Sequence, residues 1–380
     1  MAKKDVYERL CDSFALQMGP VPDRENLITA FRFTLPEETV RFYFLLPLFG
    51  EVRDSHLANK ARRKGFSDAE ISEHMAKLIS ESFIERHKGE KEDCFARVFG
   101  AFVAENQVRK KKWTALGKRY GKYWMDLADV STYQLPTKTP YARVLAVEES
   151  IPAQPSGQKI MIHETIQDTR QAVPYDFVTE MMRNTTTIAL AECYCRLSMD
   201  MAGEPCIHEK ETCFLFNEAG RNLIEIGVAR EISLDDALAI VQRSEAAGLV
   251  HNINNAEGEV TFMCNCCSCC CPILGAMKKG LKNVSQPSRF HAQVIHENCT
   301  DCLSCLDYCY VAALTYDNQA LNFDIETCIG CGLCASHCPE HAIKMVFRDT
   351  PGKIYETAAQ LDVKIQREAI VGKIKSLVKL

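Results

Sequence analysis

Apolar residues fall at helical spacing early in the chain. Ser67-Asp68-Ala69-Glu70 is a capping box, in which the serine hydroxyl and the glutamate carboxylate satisfy unpaired amides at the helix start. Behind it Ile71, Met75, Leu78, Ile79 and Phe83 form one apolar stripe. Phe83-Ile84 then opens a short strand, the polar run His87 to Asp93 turns, and Cys94 to Val98 returns. Helix, strand, turn and strand over about residues 36–99 read as the end of a winged helix-turn-helix.

The pattern recurs 166 residues later. Ser233-Leu234-Asp235-Asp236 caps a helix with apolar Leu234, Ala237, Leu238 and Val241, and Gly248 suits its left-handed exit. Leu249-Val250 starts a strand, Asn252 to Gly258 turns, and Glu259 to Met263 returns. In both copies 17 residues separate the capping serine from the first strand (Ser67 to Ile84, Ser233 to Val250). Between the copies a single basic aromatic helix is expected over Glu105 to Asp126, carrying Lys110-Lys111-Lys112-Trp113 and Arg119 to Trp124. A connector with Pro136, Pro140, Pro152, Pro155 and Gly157 reads as extended, because proline offers no ladder donor. Pro174 suits a helix start. Thr185 to Leu190 predicts a strand that delivers Cys193 and Cys195 to one side, and Ile354 to Leu380 predicts a last helix with a basic end.

At 380 residues the chain can build two or three cores, and 47% hydrophobic with 25% charged residues is ordinary for a soluble protein. No apolar run approaches the roughly 18 residues of a membrane span. The early lysines have no apolar segment behind them, so the cytoplasm is the expected compartment, where clustered cysteines are metal ligands more often than disulfides. The net charge of −5 is unevenly spread. Phe290 to Ile343 has seven acids and no Lys or Arg, whereas Arg53 to Lys122 has 17 basic and 10 acidic residues. The acidic stretch fits docking to a basic patch. The basic one reads either as solvated helix faces or as a surface for an acidic partner, with nucleic acid as one candidate.

Fourteen of the 20 cysteines lie between Cys264 and Cys338. Eight repeat C-x2-C-x2-C-x3-C with a 29-residue offset: Cys299, Cys302, Cys305, Cys309, then Cys328, Cys331, Cys334, Cys338. That spacing wraps three thiolates around one iron–sulfur cube and sends the fourth to its neighbour. Two [4Fe–4S] clusters follow, one on Cys299, Cys302, Cys305 and Cys338, the other on Cys328, Cys331, Cys334 and Cys309. Two structural zincs are the alternative, although this order is uncommon for zinc. Pro339 follows the second copy; Tyr310 stands at that place in the first.

Upstream, Cys264, Cys266, Cys267, Cys269, Cys270 and Cys271 put six thiols in eight residues, and neighbours in an extended chain point to opposite sides. Cys193, Cys195, Cys206 and Cys213 make a third group. These ten thiols suit one or two further iron–sulfur clusters, with zinc or a redox dithiol as alternatives. Cys11 and Cys94 read as buried apolar residues. No GxGxxG follows a strand and no P-loop occurs.

With AECYCR at 191–196, AREISLDDALAIVQRSEAAGLVHNINN at 229–255, CNCCSCCC at 264–271 and the doubled motif, the chain resembles 4Fe–4S dicluster ferredoxin-type proteins of anaerobic bacteria and archaea. The resemblance covers about residues 130–347 and implies cytoplasmic iron–sulfur redox work without naming a substrate. The expected fold is α+β in four parts: a helical, winged-helix-like domain (1–127), a cysteine-rich α+β domain with a second such unit (128–284), a bacterial dicluster ferredoxin fold (285–348) and a C-terminal helix (349–380). The leading function is electron transfer, with a redox-partner oxidoreductase or complex subunits as partners. The alternatives are an iron–sulfur oxidoreductase with a catalytic cluster at 264–271 and, last, a redox-sensing regulator using the winged helices on DNA.

Overall fold

A computed structural model describes residues 4–18, 21, 23–112, 117–118, 120–123, 125, 137–151, 172, 174–258, 260–281 and 283–378. Trp113, Arg119, Trp124, Asp126, Pro136, Pro152, Pro155, Gly157 and Glu259 lie outside them. The chain mixes helices and strands in two compact units, each built from separate stretches of sequence. One comprises residues 1–135, 191–211 and 218–231; the other comprises 136–190, 212–217 and 232–380.

In the first unit, helices Val6–Met18, Arg24–Thr34 and Glu37–Tyr43 precede β1 (Glu51–Arg53) and helices Asp54–Arg62 and Asp68–Ser80. The Ser67–Glu70 capping box forms as expected. The strands β2 (Ile84–His87) and β3 (Cys94–Arg97) follow as an antiparallel hairpin, which β1 extends to the order β1-β3-β2. Phe14, Phe31 and Phe83 meet ring to ring at 4.8–6.0 Å in the core of this unit. Arg97 closes it by donating to the carbonyls of Tyr43 (3.2 Å) and Leu46 (2.6 Å).

The expected basic helix breaks early. Helix Gly100–Arg109 ends where Lys111 takes a left-handed φ of 56°. Cys11 is buried in this core, as expected, whereas Cys94 on β3 is partly exposed.

The remaining strands are β4 (Ala142–Leu145), β5 (Ile188–Glu192), β6 (Glu211–Phe216), β7 (Ala229–Glu231, in the first unit), β8 (Val250–Asn254), β9 (Phe262–Cys266), β10 (Ser285–Gln286), β11 (Phe290–Val294), β12 (Leu314–Asp317), β13 (Ala320–Phe323) and β14 (Ile343–Phe347). Within the second unit a sheet runs in the order β10-β4-β8-β9-β6-β5. β4 is wholly buried inside what reads as a proline-punctuated connector. The helix behind Ser233 (Leu234–Ala246) and the strand at Val250 form where expected. The returning strand starts at Phe262 and extends through Cys264 and Cys266, so the β8–β9 hairpin lies inside a larger sheet, not at the edge of a wing.

Strand alternation gives this sheet two faces. Leu145, Ile253, Met263 and Phe214 face helices Val178–Arg183 and Leu234–Ala246. Val144, Val250 and Cys266 belong instead to a core shared with Phe290, Cys305, Cys328, Ile329 and Cys334. The latter core is the junction of the sheet with two short hairpins, β11–β14 and β12–β13. Helix Ala358–Val378 ends the chain, and among the described residues no helix is long and apolar enough to cross a membrane.

Candidate metal centres

The two hairpins frame two loops of matching design. Each loop ends in a four-residue helix, Ser304–Asp307 or Leu333–Ser336. Left-handed backbone recurs at equivalent places: Asp301 (φ 52°) with Gly330 (69°), Leu303 (63°) with Gly332 (80°), and Ala312 (57°) with His341 (48°). Members of each pair are 29 residues apart, the offset of the cysteines. Such turns coil a loop around a centre and aim its amides inward. In the second copy glycine is also a steric requirement. A Cβ on Gly330 would stand 2.1 Å from the Phe290 carbonyl oxygen, and one on Gly332 would stand 2.3 Å from Ser150 Oγ.

Cys309, Cys328, Cys331 and Cys334 line one cavity; Cys299, Cys302, Cys305 and Cys338 line another. Each set takes three thiols from one loop and the fourth from the other. Backbone amides point at sulfur in both: Leu314 N–H to Cys309 Sγ (3.2 Å), Gly330 N–H to Cys328 Sγ (3.4 Å) and Ala342 N–H to Cys338 Sγ (3.3 Å). Tyr308 and His337, which precede the two crossing cysteines, stack with ring centroids 3.8 Å apart.

The two sets differ in exposure. In the first set Cys302 is exposed, Cys299 and Cys338 are half-buried and Cys305 is buried; in the second Cys328 and Cys334 are buried and Cys309 and Cys331 half-buried. Burial pushes the Cys331 thiol up to about 12, Cys305 up to about 11 and Cys334 well above its ordinary value. Hydrogen bonding by Ser304 moves Cys302 the other way. Buried thiolates without a cation are disfavoured, so these walls suit a group that brings its own positive charge. All-sulfur donors, inward amides and apolar walls fit an iron–sulfur cube, whose sulfurs accept such N–H bonds.

Several supports lie outside the motif. Arg348 donates to the carbonyls of Cys328 (2.5 Å), Ser288 (3.1 Å) and Ile325 (3.3 Å), which locks the second loop. Val147 N–H donates to the Cys331 carbonyl at 2.9 Å. Sequence offers a faint signal for Arg348 alone, the first arginine after a long stretch without one. Tyr310, where the second copy has proline, donates its hydroxyl to the Gly248 carbonyl at 2.8 Å. It thereby ties the first loop to the turn that enters β8.

The six-cysteine run divides. Cys264 and Cys266 lie on one face of β9, and Cys271 Sγ comes within 3.0 Å of Cys266 Sγ. Cys267 and Cys270 approach to 3.0 Å, with Cys269 3.7 Å from Cys270. Cys213 lies buried on β6. Cys193 and Cys195 are not on a strand. Cys193 occupies the N-cap position of helix Tyr194–Ala202 and Cys195 lies in its first turn, so the strand alternation expected to put them on one side does not apply. Cys206 follows that helix in the first unit and is half-buried.

Residues 321–344 match the 4Fe-4S binding domain. The chain is similar to pyruvate synthase subunit PorD of Thermotoga maritima, 41% identical over 54 residues, or 14% of this chain and 54% of that one. Indolepyruvate oxidoreductase subunit IorA of Archaeoglobus fulgidus is 38% identical over 50 residues, 13% of this chain and 8% of that one. The delta subunit of NADH-dependent phenylglyoxylate dehydrogenase of Aromatoleum evansii is 36% identical over 47 residues, 12% of this chain and 50% of that one. The chain thus spans about half the length of these relatives or less. No solved structure gives a significant match. The chain carries a ferredoxin-type iron–sulfur domain.

Proposed function

We propose that the protein passes single electrons as a subunit or partner of an oxidoreductase complex. Two [4Fe–4S] clusters would serve it, on Cys299, Cys302, Cys305 and Cys338 and on Cys328, Cys331, Cys334 and Cys309. The observation that carries this reading is the pair of crossed four-thiol cavities repeated at one offset. A bound cluster supplies reversible one-electron storage, at a potential set by hydrogen bonds to sulfur and by exposure. The chain's own residues provide both controls: amides of Leu314, Gly330 and Ala342 on sulfur, and a first set more open to solvent than the second. Both sets lie within the stretch that has seven acids and no Lys or Arg, which suits docking to a basic patch on a redox partner. The upstream cysteines would extend the relay by one or two clusters, with zinc as the alternative metal there.

From Glu37 to Arg97 the first unit runs helix, strand, two helices and a hairpin, the element order of a winged helix, and we read it as a protein-contact module. Its second paired helix exposes Asp68, Glu70 and Glu73, while Lys77 is engaged by Glu81 at 2.9 Å, so a DNA groove would be repelled. Much of the neighbouring basic excess is also spent locally, with Arg62 on Asp68 at 2.7 Å and Lys111 on Glu192 at 3.2 Å.

Strictly anaerobic purification with iron and sulfide counts tests the proposal. About 8 iron per chain with two interacting EPR signals in the reduced protein is expected for the ferredoxin region, and more if upstream clusters are present. Near-zero iron would refute it.

A further inference from the structure

Adjacent cysteines of the 264–271 run part company on β9. Cys264 and Cys266 share the sheet face that packs on the ferredoxin-type region, where Cys266 and Cys271 belong to one continuous core with Cys328 and Cys334. Cys271, which caps the short helix Pro272–Lys278, returns to that face with its sulfur 3.0 Å from Cys266 Sγ. On the neighbouring strand Phe214 pairs with Met263 and Leu215 with Phe262. The same register carried one residue further sets Cys213 across from Cys264. The Asn265 side chain fixes that alignment by donating to the Thr212 carbonyl at 2.7 Å.

A second, independent feature points at the same sulfurs. Asn252 is fully buried and pairs with Cys264 across β8 and β9. Its Nδ2 donates to Cys266 Sγ at 3.6 Å, while its Oδ1 accepts from the Ser285 hydroxyl at 2.7 Å. Ser285 therefore fixes the amide's orientation with its donor end on sulfur. A buried amide held in this way stabilises charge on a thiolate, the arrangement that tunes iron–sulfur centres. Cys267, Cys269 and Cys270 gather separately in the turn beyond β9.

We propose that Cys213, Cys264, Cys266 and Cys271 hold a third [4Fe–4S] cluster, separate from the Cys267–Cys269–Cys270 group, with Asn252 as its second-sphere hydrogen-bond donor. This rests on the reading of the protein as an iron–sulfur electron carrier and adds a ligand partition that the ferredoxin motif does not contain.

The test uses the full-length protein purified anaerobically, with iron, sulfide and zinc counts and an EPR-monitored redox titration. Cys266→Ala and Cys271→Ala should each lose about 4 iron and the same EPR signal, leaving the two ferredoxin signals in place. Cys267→Ala should retain that signal. Asn252→Leu, which keeps the side-chain bulk, should retain the iron but lower the midpoint potential of that signal alone, and it decides the matter if the cysteine variants do not fold. Loss of one common signal in Cys266→Ala and Cys267→Ala would overturn the partition. One zinc lost from Cys266→Ala, or no shift of any signal in Asn252→Leu, would overturn the cluster. Wild-type protein with about 8 iron and no third signal would overturn this inference alone, whereas absence of the ferredoxin signals would overturn the reading beneath it.

Discussion

Gly330→Ala is the most exacting test of the loop geometry. The substitution adds one methyl group at a left-handed φ of 69°, which by itself costs about 1–2 kcal/mol. The new Cβ would also meet the Phe290 carbonyl oxygen at 2.1 Å and Ser288 Oγ at 2.3 Å, against an ordinary contact of at least 3.4 Å. Neither neighbour is at liberty to retreat. Ser288 Oγ donates to the Gly330 carbonyl at 2.6 Å and accepts from Phe290 N–H at 3.2 Å, and Phe290 opens β11 in register with Phe347. Moving the strand would sacrifice about two hydrogen bonds at roughly 0.5–1.5 kcal/mol each. The total, about 2–5 kcal/mol, falls on the loop that carries Cys328, Cys331 and Cys334. Iron associated with the ferredoxin region should fall from about 8 to about 4 per chain, with one of its two EPR signals lost. The mirror substitution Asp301→Gly removes a left-handed non-glycine residue at φ 52° and should leave the iron content unchanged. Full iron and an unaltered spectrum in Gly330→Ala would refute the steric argument.

Three further outcomes follow from other contacts. Asn265→Ala strips a partner from the Thr212 carbonyl (2.7 Å) and from His251 Nδ1 (2.6 Å), both buried, and should destabilise by about 2–4 kcal/mol in urea unfolding; a change below 0.5 kcal/mol, about the least the method resolves, would contradict this. Burial would raise the Glu81 carboxyl, but hydrogen bonds from Lys112 and Lys77 outweigh it and hold the group below its ordinary 4.5. Its stabilising effect is therefore present above pH 4.5 and is lost as pH falls through the lowered value, so Glu81→Gln should flatten the acid side of the stability profile below pH 4.5. Arg348→Lys cannot reproduce three carbonyl contacts with one ammonium group; chelator should strip iron from the Cys328 loop faster than in wild type, with the rate at the Cys299 loop unchanged.

The two crossed sets of four cysteines were legible because C-x2-C-x2-C-x3-C encodes a local loop, and local spacing survives whatever surrounds it. The capping serines at 67 and 233 were legible for the same reason, and both strands began at the predicted residue. Errors arose where tertiary context outweighed local pattern. Tyr194 begins a helix although Thr185 to Leu190 reads as a strand that would deliver Cys193 and Cys195, so strand alternation does not govern that pair. The returning strand is expected to stop at Met263, but the alternation of Cys264 and Cys266 with Met263 and Asn265 carries it into the cysteine run. β4 is four residues long and contains Arg143, whose guanidinium is buried because it donates to the Tyr175 carbonyl at 2.8 Å. No local signal announces that partner.

The crossed cavities also set an order of assembly. The wall that Cys338 contributes to the first cavity is made 39 residues after Cys299 emerges from the ribosome, and Cys309 must wait for Cys328 to give its own cavity a second side. Neither half can be finished alone. A nascent or truncated chain ending between the two loops would display four soft thiols with no enclosed place for metal. With the proposed clusters in these cavities, iron loading would be tied to completion of the second loop, so a chain would carry electrons there only once it extends past Cys338.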